Sequence, residues 1–246
     1  MDPLTALAAS GMRSRMESLD IIANNLANAG APGFKADREF FGLYLSAEAG
    51  ASAQGTDPAS QPITERHWTD FSQGSFSTTD NPMNVAIAGK GFFAVESSAG
   101  TLFTRDGSFR MSPQGILETQ EGYPIRGNDG KQIKVDPSKA IDIGTDGLIR
   151  QDGLDVARLE VVDFTDVHAL GKHGQNYFQL SVSGTRPMTA SDVEIMQGKL
   201  ESANFQPAES AVRLITVMRQ FESLQKAMTM GTDMNRKTLE DVARVG

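Results

Sequence analysis

Apolar residues recur at both ends of the chain with the three- and four-residue steps of a coiled coil, and this rhythm constrains the fold most strongly. The N-terminal pattern stops before Gly30 and Pro32-Gly33, which are helix-terminating residues, and the C-terminal pattern begins after Pro207. The sequence therefore predicts one helix at each end. Their apolar positions are Leu4, Ala8, Met12, Met16, Leu19, Ala23 and Leu26 in the first helix and Leu214, Val217, Phe221, Leu224 and Met228 in the second.

The centre of the chain has a different pattern, in which short apolar runs alternate with glycine-containing turns. The runs Val85–Ile87 and Phe92–Val95 have strand composition, and the pairs Asp106-Gly107, Asp146-Gly147 and Asp152-Gly153 are typical turns. No helical segment separates the strands, which argues against a parallel sheet. We therefore predict a mainly β fold with α-helical termini, in which a central antiparallel β-domain is flanked by N- and C-terminal coiled-coil-type helices.

These patterns suggest four segments along the chain. They are an N-terminal helix and turn at 1–35, a linker and extended region at 36–80, the central β-domain at 81–198, and the C-terminal helix at 199–246. Residues 46–62 contain no apolar side chain larger than alanine. Such a stretch cannot bury enough surface to offset its ordering entropy, so we predict that it is a flexible linker.

The charge and composition exclude several kinds of partner. The net charge is −8, and an acidic chain is repelled by nucleic acids and by anionic membranes, so we expect no nucleic-acid partner. No stretch approaches the ~18 consecutive apolar residues of a membrane-spanning helix, so we expect no direct membrane insertion. The absence of cysteine excludes disulfides and thiolate metal sites.

No set of residues forms a recognisable catalytic or metal-binding motif. His168 and His173 are five residues apart, a spacing that does not place both on one face of a helix. We therefore predict no enzyme activity, no cofactor and no metal. Two alternatives stay open: a pair of carboxylates in the β-domain that acts on glycan, and a monomeric binding module whose termini form a local hairpin.

The two terminal helices need partners, because an isolated helix of this length is only marginally stable. Heptad spacing indicates that a helix pairs, but not which helix it pairs with. The helices could pair with each other in one molecule, or with copies and relatives in a polymer. Asn24, Asn25 and Asn28 place three amides near the end of the first helix, where they could fix the register of such an interface or cap the helix end.

Three segments carry a resemblance to a known family. The first runs from Ser18 to Ala29, includes Ala23-Asn24-Asn25-Leu26-Ala27-Asn28, and continues to Pro32-Gly33-Phe34-Lys35. The second is Asn81–Phe93, followed by Phe103–Phe109 and Gly122–Ile125, and the third is Gly198–Asn204. In this order they resemble the signatures of bacterial flagellar rod and hook proteins. The segments Leu159–Phe164 and Leu170–Phe178 are most similar to the proximal-rod subtype. The distal-rod subtype is the nearest alternative, and another flagellar axial protein is a further one.

The resemblance implies a function. Such proteins are structural subunits of the flagellar basal-body rod, which spans the periplasm and transmits torque. They are exported by the flagellar type III export apparatus without a cleaved signal peptide, and they assemble with other rod subunits and with copies of themselves through their terminal helices. The residues expected at this assembly interface are Met12, Met16, Leu19, Ile22, Asn24, Asn25, Leu26, Asn28, Leu214, Val217, Phe221, Leu224 and Met228.

Overall fold

The computed structural model describes residues 3–44, 61–98, 100–174, 176–181 and 185–245, and these fall into two compact units. The helical unit contains the described residues of 1–27, 37–68 and 206–246, and the β unit contains those of 28–36 and 69–205. Almost all of the predicted linker at 46–62 lies outside the described residues. The segment boundaries predicted from the sequence stay predictions, and the compact units divide the chain at different positions.

The helical unit is built from two helices and two strands. Helix α1 is Pro3–Ala27 and helix α2 is Pro207–Val245, while strands β1 (Asp37–Tyr44) and β2 (Gln61–Thr69) form a two-stranded sheet. Both helices begin at a proline, whose missing N–H costs nothing in the first turn of a helix. The predicted helices at both ends are therefore confirmed.

The β unit contains the remaining elements. Among the described residues these are β3 (Phe76–Thr78), β4 (Val85–Gly89), β5 (Phe92–Ser97), β6 (Gly100–Thr104), β7 (Arg110–Met111), β8 (Leu117–Glu118), β9 (Asp142–Ile143), β10 (Leu148–Gln151), β11 (Leu154–Arg158), β12 (Val161–Asp163), a 3-10 turn at Val167–Ala169, β13 (Leu170–His173), β14 (Tyr177–Leu180), β15 (Met188–Thr189), β16 (Val193–Gln197) and β17 (Lys199–Glu201).

The largest sheet of the β unit has six strands in the order β13-β14-β6-β5-β12-β15. Its strand pairs are antiparallel, and so are the hairpins and two-stranded sheets around it, which confirms the predicted fold class. Strand β5 is buried on both faces: Phe93 and Val95 belong to one apolar core, and Phe92 and Ala94 belong to the other. This explains why β5 has a continuous apolar run instead of an alternating pattern.

Two glycines with positive φ show how differently the turns are constrained. Gly153 has φ 76° in the hairpin between β10 and β11, and nothing lies within 4 Å of the position that a Cβ would take there. Gly33 has φ 68°, but a Cβ there would come within 2.3 Å of the carbonyl carbon of Arg105. Gly33 therefore allows two backbone segments of the β unit to approach each other closely.

We expect Gly33→Ala to destabilise the β unit by roughly 3 kcal/mol or more, because it combines left-handed strain with a backbone clash. Gly153→Ala is the matched control and should cost only about 1–2 kcal/mol, because it introduces the strain alone. Urea unfolding of both variants, followed by circular dichroism, measures the difference. Equal losses for the two variants would contradict the close approach at Gly33.

Candidate assembly interface

The two helices of the helical unit pack against each other in an antiparallel pair. A side chain of Leu224 lies 3.4 Å from the position that a Cβ would take on Gly11. Ser18 of α1 and Arg213 of α2 both bind the carboxylate of Glu39. Ser18 lies seven residues after Gly11 in α1, whereas Arg213 lies eleven residues before Leu224 in α2. The chain directions are therefore opposite, and each helix has a partner inside the same molecule.

The predicted apolar positions of α2 form its least exposed face. Val217 is buried, and the other positions are half-buried among exposed neighbours: Leu214, Phe221, Leu224 and Met228. This periodic burial ends at Gly231, and the residues at 232–237 and 240 are all exposed. The apolar residues that recur at steps of three and four in the sequence of α2 therefore form the face that packs against α1.

Helix α1 uses small residues for its covered face. Ala8, Ser14 and Ser18 are buried and Gly11 is half-buried, so α2 can approach α1 closely along this line. Ile22, four residues after Ser18, is also buried on this line. The other large predicted residues lie further round the helix: Met12, Leu19 and Leu26 are half-buried, and Met16 is 54% exposed.

The three predicted asparagines have different surroundings. Asn25 is buried and makes two hydrogen bonds with Asp37: its Nδ2 donates to the Asp37 carbonyl at 2.8 Å, and its Oδ1 accepts from the Asp37 N–H at 3.0 Å. Asn25 therefore connects the first residue of β1 to the C-terminal part of α1 through two hydrogen bonds. Asn24 is exposed, and Asn28 is half-buried and belongs to the β unit, where its carbonyl accepts from the Ala31 N–H at 3.0 Å.

A buried carboxylate joins β1 to both helices. Glu39 Oε2 accepts a hydrogen bond from Ser18 Oγ at 3.0 Å and lies 3.4 Å from Nη2 of Arg213. The Glu39 side chain is almost fully buried, whereas that of Arg213 is about half exposed. The ion pair therefore orients β1, α1 and α2 with respect to one another inside the helical unit.

The β unit contains a buried ion network that sequence reasoning did not assign. Lys35 Nζ lies 2.6 Å from Glu201 Oε1, and Arg105 Nη1 lies 3.2 Å from Glu201 Oε2. The side chains of Lys35 and Glu201 are fully buried, and that of Arg105 is nearly so. Two cations therefore share one carboxylate in the interior of the β unit.

Backbone groups satisfy most of the remaining bonds of this network. Lys35 also donates to the Ser72 carbonyl at 2.7 Å, and Arg105 donates to the Gly89 carbonyl at 2.7 Å. Glu201 accepts from the Gly74 N–H at 2.8 Å through its side chain. These bonds offset part of the large cost of moving charges out of water.

Burial disfavours the charged form of both cations. Desolvation lowers the pKa of Lys35, and the neighbouring Glu201 carboxylate opposes that shift. Desolvation likewise lowers the pKa of Arg105, against the same carboxylate. The Glu201 carboxylate therefore favours the protonated form of Lys35, while the strongly basic guanidinium of Arg105 stays charged.

The network connects the segment that follows α1 to the segment that precedes α2. Besides the Lys35–Glu201 pair, the Gly33 N–H donates to the Glu201 carbonyl at 2.7 Å. Asn204 accepts from the Ala36 N–H at 2.9 Å and donates to the Asp70 carbonyl at 2.6 Å. Residues far apart in sequence thereby form one layer of the β unit.

Each of the three segments that carry the family resemblance contributes one member of this network. Lys35 ends the first segment, Arg105 lies in Phe103–Phe109, and Glu201 lies in Gly198–Asn204. Each motif contains a second charged residue as well, namely Asp20, Asp106 and Lys199, so the sequence does not mark which charge enters the network. No spacing rule relates these positions, because their contacts exist only in the folded β unit.

Within the described ranges, no three His, Asp or Glu side chains are grouped so that they could hold a metal ion. Neither described helix combines the length and hydropathy that crossing a membrane requires. The buried polar groups hold chain segments together, and this arrangement is typical of a structural subunit.

Comparisons with known proteins agree with that class. Three family models match the chain: "Flagella basal body rod protein" at residues 7–35, "Flagellar hook protein FlgE/F/G D1 domain" at 86–151, and "Flagellar basal body rod FlgEFG protein C-terminal" at 196–241. The chain is 32% identical over 246 residues to the flagellar basal-body rod protein FlgF of Caulobacter vibrioides, with 100% of both chains covered.

Other relatives extend this likeness. FlgF of Mesorhizobium japonicum is 33% identical over 244 residues, which cover 95% of this chain and 96% of that protein. The rod protein FlgG of Bacillus subtilis is 30% identical over 253 residues, which cover 92% and 93%. The chain therefore belongs to the flagellar basal-body rod protein family.

We expect Glu201→Gln to destabilise the β unit by about 3–5 kcal/mol, because it leaves two buried cations without a carboxylate. Arg150→Gln is the control: it breaks the Arg150–Asp155 pair, whose N···O distance is 3.1 Å and whose side chains are both partly exposed. That loss should be about 0–1 kcal/mol. Urea unfolding compares the two variants, and a Glu201→Gln loss as small as the control would show that the network is not stabilising.

Proposed function

We propose that the chain is a structural subunit of the bacterial flagellar basal-body rod, and that it polymerises through its terminal helices into the torque-transmitting shaft. Membership of the rod protein family supports the first part of this proposal. The surface of α1 supports the second part. Met16 is 54% exposed, and Met12 and Leu19 beside it are only half-buried although the helix already has an intramolecular partner.

These three side chains favour an interface with a neighbouring subunit. They form a continuous stripe with steps of four and three residues, next to the small residues that receive α2. Burying one methionine or leucine side chain contributes roughly 1.5–3 kcal/mol. A neighbour that covers the stripe would therefore add a substantial free energy at each contact along a polymer, with no rearrangement of the α1–α2 pair.

The same family implies the partners and the location. We infer that the chain assembles with other rod subunits and with itself, that the flagellar type III apparatus exports it without a cleaved signal, and that it resides in the periplasm-spanning rod. FlgF relatives matched along most or all of their length favour the proximal part of the rod. The comparable match to a FlgG protein makes a distal position the second candidate.

Met16→Asp should abolish incorporation into the rod while leaving the fold intact, because it places a charge in the proposed interface at a position that is exposed in the single chain. Met188→Asp is the matched control, since Met188 lies in the β unit and is 51% exposed. We would measure swimming of a strain that carries only the variant, together with its presence in purified basal bodies. Normal incorporation of Met16→Asp would contradict the proposal.

A further inference from the structure

The methionines of the chain differ widely in their exposure to solvent. The sequence contains eleven methionines and no cysteine, so thioethers are its only sulfur groups. In a protein without thiols, mild oxidants act first on the exposed thioethers. Within the described part of the chain, oxidation should therefore begin at the methionines with large exposed surfaces, which are Met16, Met188, Met218, Met230 and Met234.

Met16 differs from the other four exposed methionines in its surroundings. It lies between Met12 and Leu19 in the apolar stripe of α1, and both of these neighbours are half-buried. The other four lie on α2 or in the β unit. Met16 is therefore the member of this set whose thioether is open to solvent in the single chain and also belongs to the α1 stripe.

Two methionines of the β unit show what a covered thioether looks like in the same chain. Met83 and Met111 are half-buried and pack against the larger apolar core. That packing restricts the approach of an oxidant to their sulfur atoms. More than half of the Met16 surface is open to solvent, so an oxidant reaches its sulfur without any change in the fold.

Hydrogen peroxide converts a thioether into a sulfoxide in one two-electron step. The sulfur attacks the peroxide, the O–O bond breaks, an S–O bond forms and water leaves, so the sulfur is oxidised and the peroxide is reduced. The sulfoxide oxygen is a polar acceptor, which water can hydrate while the residue is exposed. Under a neighbouring subunit the oxygen would lose this water, and burying an acceptor without a donor costs free energy.

We propose that Met16 is a reversible oxidation site, and that its conversion to methionine sulfoxide prevents incorporation of the subunit. This inference rests on the proposed function, because the sulfoxide acts through the contact that covers the α1 stripe. It adds a chemical control to that contact. Peroxide makes the unassembled subunit unable to join, and methionine sulfoxide reductases reverse the change.

The rate of oxidation at each methionine tests the site itself. The full-length chain is treated with hydrogen peroxide for graded times, and peptide mass spectrometry follows the sulfoxide content of each methionine. We expect Met16 to be oxidised at least about fivefold faster than Met83 and Met111, because susceptibility follows exposure. Equal rates would overturn the inference, since Met16 would then not be a preferred site.

A competition in one sample tests the effect on assembly. Partly oxidised chain is mixed with other rod subunits, the assembled and free fractions are separated by sedimentation, and the sulfoxide content of each fraction is measured. We expect Met16 sulfoxide to be depleted roughly tenfold in the assembled fraction. Met188 is the internal control, because it is similarly exposed in the β unit, and its sulfoxide should be equally common in both fractions.

Substitution and repair give an independent measurement. Parent, Met16→Leu and Met188→Leu chains are each compared with themselves before and after peroxide, so that an effect of the substitution itself cancels. The parent and Met188→Leu should lose association, whereas Met16→Leu should change little, because leucine has no sulfur. Methionine sulfoxide reductases for both sulfoxide epimers should restore the oxidised parent.

Three further results would overturn the inference. If the chain assembles and Met16 sulfoxide is equally common in both fractions, the inference is wrong and the proposed function stands. If peroxide weakens Met16→Leu as strongly as the parent, another methionine is the sensitive site. If the untreated parent associates with neither itself nor other rod subunits, the proposed function fails together with this inference.

Discussion

The β unit depends on one buried carboxylate. Glu201 neutralises Lys35 and Arg105 in an interior where an isolated charge would be very costly. Because Lys35 follows the first helix and Glu201 precedes the second, this network fixes the two ends of the β unit together with its apolar cores. Charge pairing therefore acts together with hydrophobic packing near the chain ends of the β unit.

In the helical unit, the size of the side chains on α1 decides which residues face α2 and which lie at the surface. Small residues such as Gly11 and Ser18 face α2, so that Val217 and Leu224 can pack closely. The larger Met16 stays at the surface. One helix pair can thus be stable in the single chain while α1 still offers apolar surface for assembly. The predicted interface positions of α2, in contrast, already face α1 inside the molecule.

The sequence predicted the terminal helices and the antiparallel β centre, because periodicity and turn residues act locally. It also identified the covered face of α2, where large apolar residues mark every position. On the covered line of α1 it identified Ala8 and Ile22 but not Ser14 and Ser18, because serines carry no hydrophobic signal. The sequence could not predict the ion network for another reason. Lys35 and Glu201 are 166 residues apart, and only the folded β unit brings them together.

That separation also affects the timing of folding. Because synthesis proceeds from the N-terminus, Lys35 emerges from the ribosome early, but Glu201 follows only after most of the β unit. Until then the lysine lacks its counter-ion, and the core cannot enclose it without a large electrostatic cost. Closing such a long loop is also entropically slow. The late arrival of one carboxylate therefore delays the final closure of the β unit until nearly the whole polypeptide has emerged.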